Sequence, residues 1–233
     1  MFAPTQPLGS GTVGAYVTRD VAGNPVEIGV RISAAALNGL PTSAPMPTPI
    51  VLNFPAQMSA GLFDHVEVFW QPQGHEPVPL FGKPHFDVHF YMVDRDSVAA
   101  IDPANPGFQA RAENLPAPRY MPRDYVTPPG TVMSNTVPGM GLHWLDSTAD
   151  LVPGRYEFTH ILINGSYDGL YTFVEPMVTR DWLAGRNSVT APVKQPAAFQ
   201  RSGWYPTTYS VRYDAASDSY LVALGGMTHR DAS

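Results

Sequence analysis

The chain has 233 residues, 44% of them hydrophobic and only 15% charged, with a formal net charge of −6 and no cysteine. A chain this long buries a core without needing a disulfide or a metal to fold, and the want of cysteine excludes disulfides, thiolate ligands and cysteine nucleophiles. The acidic balance without a Lys/Arg cluster argues against a nucleic-acid partner, no apolar run nears the ~18 residues of a membrane span, and residues 1–10 show no charged or long apolar region of the kind a signal peptide carries.

With 25 prolines and 20 glycines, the composition suits many short strands joined by stiff loops. Residues 12–20 form the first expected strand, and "AGNP" marks a turn. In "PVEIGVRIS" (25–33), Val26, Ile28, Val30 and Ile32 alternate with Glu27, Gly29, Arg31 and Ser33, the mark of a half-buried strand. Residues 34–40 allow at most two helical turns, and a Pro-rich connector runs to about residue 49. Strands are expected at 50–54 and 65–71, the second with Val66, Val68 and Trp70 on one face. Another strand spans about 84–93, and a helical turn 96–101.

Residues 102–141 hold eight prolines and little periodicity. So long an excursion is either a packed functional loop or an oligomer arm. Residues 155–165 and 170–177 read as a hairpin across the turn 166–169, residues 179–185 as a short helix, and residues 207–226 as a second hairpin. Nine or ten strands, two or three short helices, no repeat and no evident linker predict one all-β domain over residues 1–233, a β-sandwich or barrel.

The chemistry concentrates in "KPHFDVHFYMVD" (83–94). In a strand, Phe86, Val88, Phe90 and Met92 share a core face, while His85, Asp87, His89 and Tyr91 share the other. At ~3.4 Å per residue His85 and His89 stand ~13–14 Å apart, so bonds of ~2.0–2.1 Å cannot join both to one ion. Neighbours two apart, His85 with Asp87 or Asp87 with His89, can converge. Further donors come from elsewhere: His143 near the end of the excursion, Glu175 on an otherwise apolar strand face, and His75 in the loop before the ladder. Such a His/carboxylate set suits zinc, iron or manganese. The first-choice ligands are His89, Asp87, His143 and Glu175, with His85 beside them. His75, His160 and Tyr91 stand as outer-shell groups or proton shuttles, and no catalytic residue or small-molecule ligand is assigned. The competing reading makes the ladder a hydrogen-bond network that fixes strand register or an interface; metal-free acid–base work is a third.

The stretches "WQPQGHEPVPLFGKPHFDVHFYM" (70–92), "GMGLHWLD" (within 139–146) and "ILINGSYDGLYTFVEPMVTRDWL" (161–183) resemble a family of small bacterial and archaeal β-rich domains of uncharacterised function. That family is described from a thermophile protein of an extracytoplasmic stress sigma-factor regulon. The resemblance runs from about residue 6 to the C-terminal hairpin, and its blocks fall on His75, His85, Asp87, His89, His143, Tyr167, Asp168 and Glu175. It implies a β-rich fold, a periplasmic or secreted location and a ring-shaped homo-oligomer, and no activity. The residues themselves lead to the first functional expectation, a metal-binding β-domain working as a hydrolase or lyase; the competing one is a non-enzymatic homo-oligomeric envelope or stress protein.

Overall fold

A computed structural model of the chain describes residues 1–43, 48–55 and 61–233. Part of the expected Pro-rich connector, residues 44–47, lies outside the described residues.

The chain forms two large antiparallel sheets and one small one. The first has six strands in the order β1 (Gln6–Leu8), β2 (Gly11–Arg19), β3 (Pro25–Ser33), β15 (Ser219–Gly225), β14 (Thr208–Asp214) and β12 (Val189–Pro192). The second runs β4 (Ile50–Asn53), β5 (His65–Gln71), β6 (His85–Tyr91), β11 (Leu170–Thr179), β10 (His160–Tyr167), β9 (Gly141–Asp146) and β7 (Tyr125–Val126), with β8 (Thr136–Val137) also on β9. β13 (Gly203–Tyr205) and β16 (Thr228–Arg230) pair separately. Neither large sheet closes on itself, so of the two expected architectures the sandwich is the one present.

Period-two alternation builds the core. Ala15 and Val17 of β2, Ile28, Val30 and Ile32 of β3, and Val222 and Leu224 of β15 face Val66 and Val68 of β5, Phe86, Val88 and Phe90 of β6, and Val174 and Val178 of β11. These inner faces are shielded almost wholly from water, as two sheets packed face to face require.

The described residues hold sixteen strands and five short α-helices, more of both than the periodicity predicts. The reason is length: β1, β7, β8, β12, β13 and β16 have only two to four residues, too few for an alternation to register. The helices are α1 (Val78–Phe81), α2 (Arg95–Ala99), α3 (Phe108–Glu113), α4 (Val132–Asn135) and α5 (Arg180–Ala184), and no helix among the described residues is long and apolar enough to cross a membrane.

The excursion 102–141 carries α3, β7, α4 and β8 and packs on its own chain. Phe108 and Ala112 bury against Tyr167, and the Tyr125 hydroxyl donates to the Leu162 carbonyl at 3.0 Å. It covers the β9–β10 end of the second sheet.

Phe86 is fully buried between the sheets and packs on Trp70 with ring centroids 4.8 Å apart. Phe86→Ala is expected to cost ~3–5 kcal/mol in denaturant unfolding. A loss below ~1 kcal/mol would contradict the tight inter-sheet core.

Candidate metal centre

The outer face of the second sheet is unusual because it is buried and polar at once. The alternation that turns Phe86, Val88 and Phe90 inward turns His85, Asp87, His89 and Tyr91 outward. On β5 it turns His65, Glu67 and Gln71 to the same side, since Glu67 pairs with His89 and Gln71 with His85. Every one of these seven side chains is buried. His65 and Glu67 are absent from the sequence expectations, although "HVEVFWQ" carries the signal: if Val66, Val68 and Trp70 point one way, His65, Glu67 and Gln71 point the other.

Register and one glycine assemble the first group. β11 pairs with β6 so that Met177 lies opposite Asp87 and Phe173 opposite Tyr91, which sets Glu175 beside His89. His143 lies opposite Gly165 on β10, and Gly165 lies opposite Phe173. A Cβ on Gly165 would stand 1.9 Å from the Phe173 ring. Without one, Phe173 lies flat over β10 and packs edge-on against both His89 and His143, at 4.7 and 5.1 Å.

Three donor atoms then converge. His89 Nε2 is 3.4 Å from His143 Nε2 and 3.5 Å from Glu175 Oε2, and His143 Nε2 is 3.6 Å from the same oxygen. The triangle is nearly equilateral. Bonds of ~2.1 Å to a tetrahedral ion put its ligand atoms ~3.4 Å apart; an octahedral ion with the same bonds would need adjacent ligands ~3.0 Å apart. The spacing is also long for hydrogen bonds, and no single proton can serve three acceptors. Glu175 and His89 are each 1% exposed, and Glu175 Oε2 has no hydrogen-bond partner.

The electrostatics suit a cation. Burial, reinforced by the charge of Asp87, pushes the Glu175 carboxyl well above the usual range. Burial and the neighbouring His143 ring press His89 down to about 3. Burial, then His75, lowers His143 to about 4. Both imidazoles are therefore neutral at pH 7, the form that ligates metal. A bound cation would draw the proton from Glu175 and replace it. Tyr91 stacks on His89 at 5.6 Å and on His65 at 5.0 Å, and burial holds its phenol far above its ordinary value.

Asp87, expected beside His89, belongs to a second group instead. Its Oδ1 lies 2.9 Å from His85 Nε2, its Oδ2 lies 3.7 Å from His75 Nε2, and Gln71 donates to Oδ2 at 2.9 Å. His75, His85 and Asp87 bring donor atoms within 4.8 Å of one another. Burial would raise Asp87, but attraction to the His85 and His75 rings outweighs it and holds the carboxyl below the usual range. The i, i+2 spacing leaves Asp87 equidistant from both histidines in sequence; the loop that carries His75 decides for His85.

His160 joins neither group. The alternation along β10 turns it with Leu162 toward the first sheet, where Tyr209 Oη is 3.1 Å from Nδ1 and Trp182 packs edge-on at 5.2 Å. Burial alone lowers its pKa. Tyr167 and Asp168 lie at the hairpin turn. Tyr167 packs on Phe108, while Asp168 adopts φ 49° and accepts from Asn114 Nδ2 at 3.0 Å.

Gly165→Ala tests how the first group is built. Phe173 is fully buried among His89, Tyr91 and His143, so the added methyl displaces the ring that positions both imidazoles. The expected cost is ~1–3 kcal/mol in denaturant unfolding, with weaker zinc uptake by titration. Unchanged stability and uptake would contradict this role for Phe173.

Residues 20–70 match the family model described as "TTHB210-like: Hypothetical protein TTHB210". No curated protein and no solved structure matches the chain. The match covers β3, β4 and all of β5 but Gln71, with His65 and Glu67, and ends before His75, so neither donor group lies within it. Over that stretch the chain is similar to a family of uncharacterised function.

Proposed function

We propose that the protein is a divalent-metal protein whose centre is His89, His143 and Glu175, and that the centre works as a hydrolase or lyase. The observation that carries this reading is the triangle of donor atoms with sides of 3.4, 3.5 and 3.6 Å. Two neutral nitrogens and one carboxylate oxygen suit zinc, iron or manganese, and the tetrahedral spacing favours zinc. Three protein ligands leave the fourth position for water or substrate, the pattern of catalytic rather than structural zinc. In such a site the ion polarises a bound group and makes water acidic near neutral pH. His143, 20% exposed in its side chain, is the ligand on the solvent side and marks the approach. The His89 ring is held between Phe69, Phe173 and Tyr91, and both His89 and Glu175 are buried from bulk water.

One observation favours the other reading, a non-enzymatic homo-oligomer in which the polar face only sets strand register. The Asp87 carboxylate takes a direct bond from Gln71 across the β5–β6 pair, as a register-fixing network would.

Elemental analysis of protein purified without a histidine tag separates the two. The metal reading expects stoichiometric divalent metal. At a hundredfold excess over Kd, rebinding contributes ~2.7 kcal/mol, or ~5–10 °C in melting temperature for a chain of this size. His89→Ala is expected to lose about one ion per chain while its far-UV spectrum is retained. Metal-free protein that ignores both added zinc and chelator would contradict the proposal.

A further inference from the structure

We infer that His75, His85 and Asp87 form a second, separate cation site, which clamps the loop between β5 and β6 onto the sheet.

The two imidazoles are wired alike. His85 Nδ1 lies 2.6 Å from the Lys83 carbonyl, and His75 Nδ1 lies 2.8 Å from the Glu76 carbonyl. A carbonyl only accepts, so each Nδ1 carries a proton; whenever a ring is neutral, its Nε2 presents a lone pair. Both Nε2 atoms point to one carboxylate, at 2.9 Å from Asp87 Oδ1 and 3.7 Å from Oδ2. A backbone carbonyl holding the far nitrogen of each ring is how proteins orient metal-ligating histidines.

The contact also lacks a bond of its own. His85 Nε2 and Asp87 Oδ1 approach to 2.9 Å, yet out of line for a hydrogen bond, and neither atom has another partner. His85 is 0% and Asp87 2% exposed. A carboxylate oxygen and a ring nitrogen held that close in a buried place need positive charge between them: an imidazolium proton while no ion is bound, and a cation in its place once one binds. His75, 36% exposed in its side chain, opens the site to solvent and provides a way in for an ion.

The site is distinct from the first. The two donor groups share no residue: His75, His85 and Asp87 converge in one place, His89, His143 and Glu175 in another. Its consequence is mechanical. His75 belongs to the loop between β5 and β6, where its own amide donates to the Phe81 carbonyl at 3.2 Å. The loop also carries α1, and Phe81 packs on Phe158 beside His85. Joining His75 to His85 and Asp87 ties this loop to the sheet. The inference draws on none of the first site's ligands.

Two readouts on tag-free protein test it: the zinc count after chelation, reloading and dialysis, and peptide-resolved hydrogen exchange with and without zinc. The wild type is expected to hold about two ions per chain, and His85→Gln and His89→Ala about one each. Removing zinc is expected to speed exchange over residues 75–82 at least tenfold in the wild type and in His89→Ala, with no change in His85→Gln. A wild-type count of one, kept by His85→Gln and lost by His89→Ala, overturns the second site and leaves the first standing. One ion lost by His85→Gln and kept by His89→Ala supports the second site and removes the first. Exchange over residues 75–82 that is indifferent to zinc overturns the clamp whatever the count.

Discussion

Of the three carboxylates buried on one sheet face, Asp87 at 2% exposure and Glu175 at 1% are more enclosed than Glu67 at 7%, and among the described residues neither of the two has a lysine or arginine partner. Burying a carboxylate is costly unless it is neutralised or paired. Glu175 is pushed toward the first course, its burial favouring the neutral form; Asp87 takes the second and leans on two imidazoles. The rest of the second sheet serves this arrangement. The excursion covers the β9 side, and aromatic rings wedge each imidazole in place: Phe69, Tyr91 and Phe173 at His89, Phe173 at His143, Phe158 at His85 and Phe81 at His75.

The two groups divide the work between precision and attachment. The first is built wholly from strands of one sheet, β6, β11 and, across β10, β9, so its spacing is set by hydrogen-bonded register and by the space left at Gly165. Sites on strands hold their geometry better than sites on loops. The second takes one donor from a loop, which makes it the place where a cation changes the mobility of the molecule rather than its reactivity.

Much of this was legible in the sequence, and the remainder has identifiable physical causes. Period two placed His85, Asp87, His89 and Tyr91 on one face, and strand rise alone kept His85 and His89 from sharing an ion. The partner of Asp87 was not legible, because i, i+2 spacing is the same in both directions and His75 reaches it through a loop. For His160 the face was legible and the neighbours were not: alternation puts it with Leu162, but that this side packs on Tyr209 and Trp182 follows only from the sheet pairing. His143 meets Glu175 only because Gly165 stands between their strands, a coincidence of pairing between segments far apart in the chain. His65 and Glu67 were legible in the alternation of "HVEVFWQ" through the face opposite Val66 and Val68.

The central claim is that His89, His143 and Glu175 hold one ion at the centre of their triangle. Anomalous diffraction at the zinc edge, from crystals of tag-free protein grown with zinc, tests it most directly. The account predicts a strong peak ~2.0–2.1 Å from His89 Nε2, His143 Nε2 and Glu175 Oε2. A map without density there, from crystals whose zinc sits only on surface carboxylates, would contradict it.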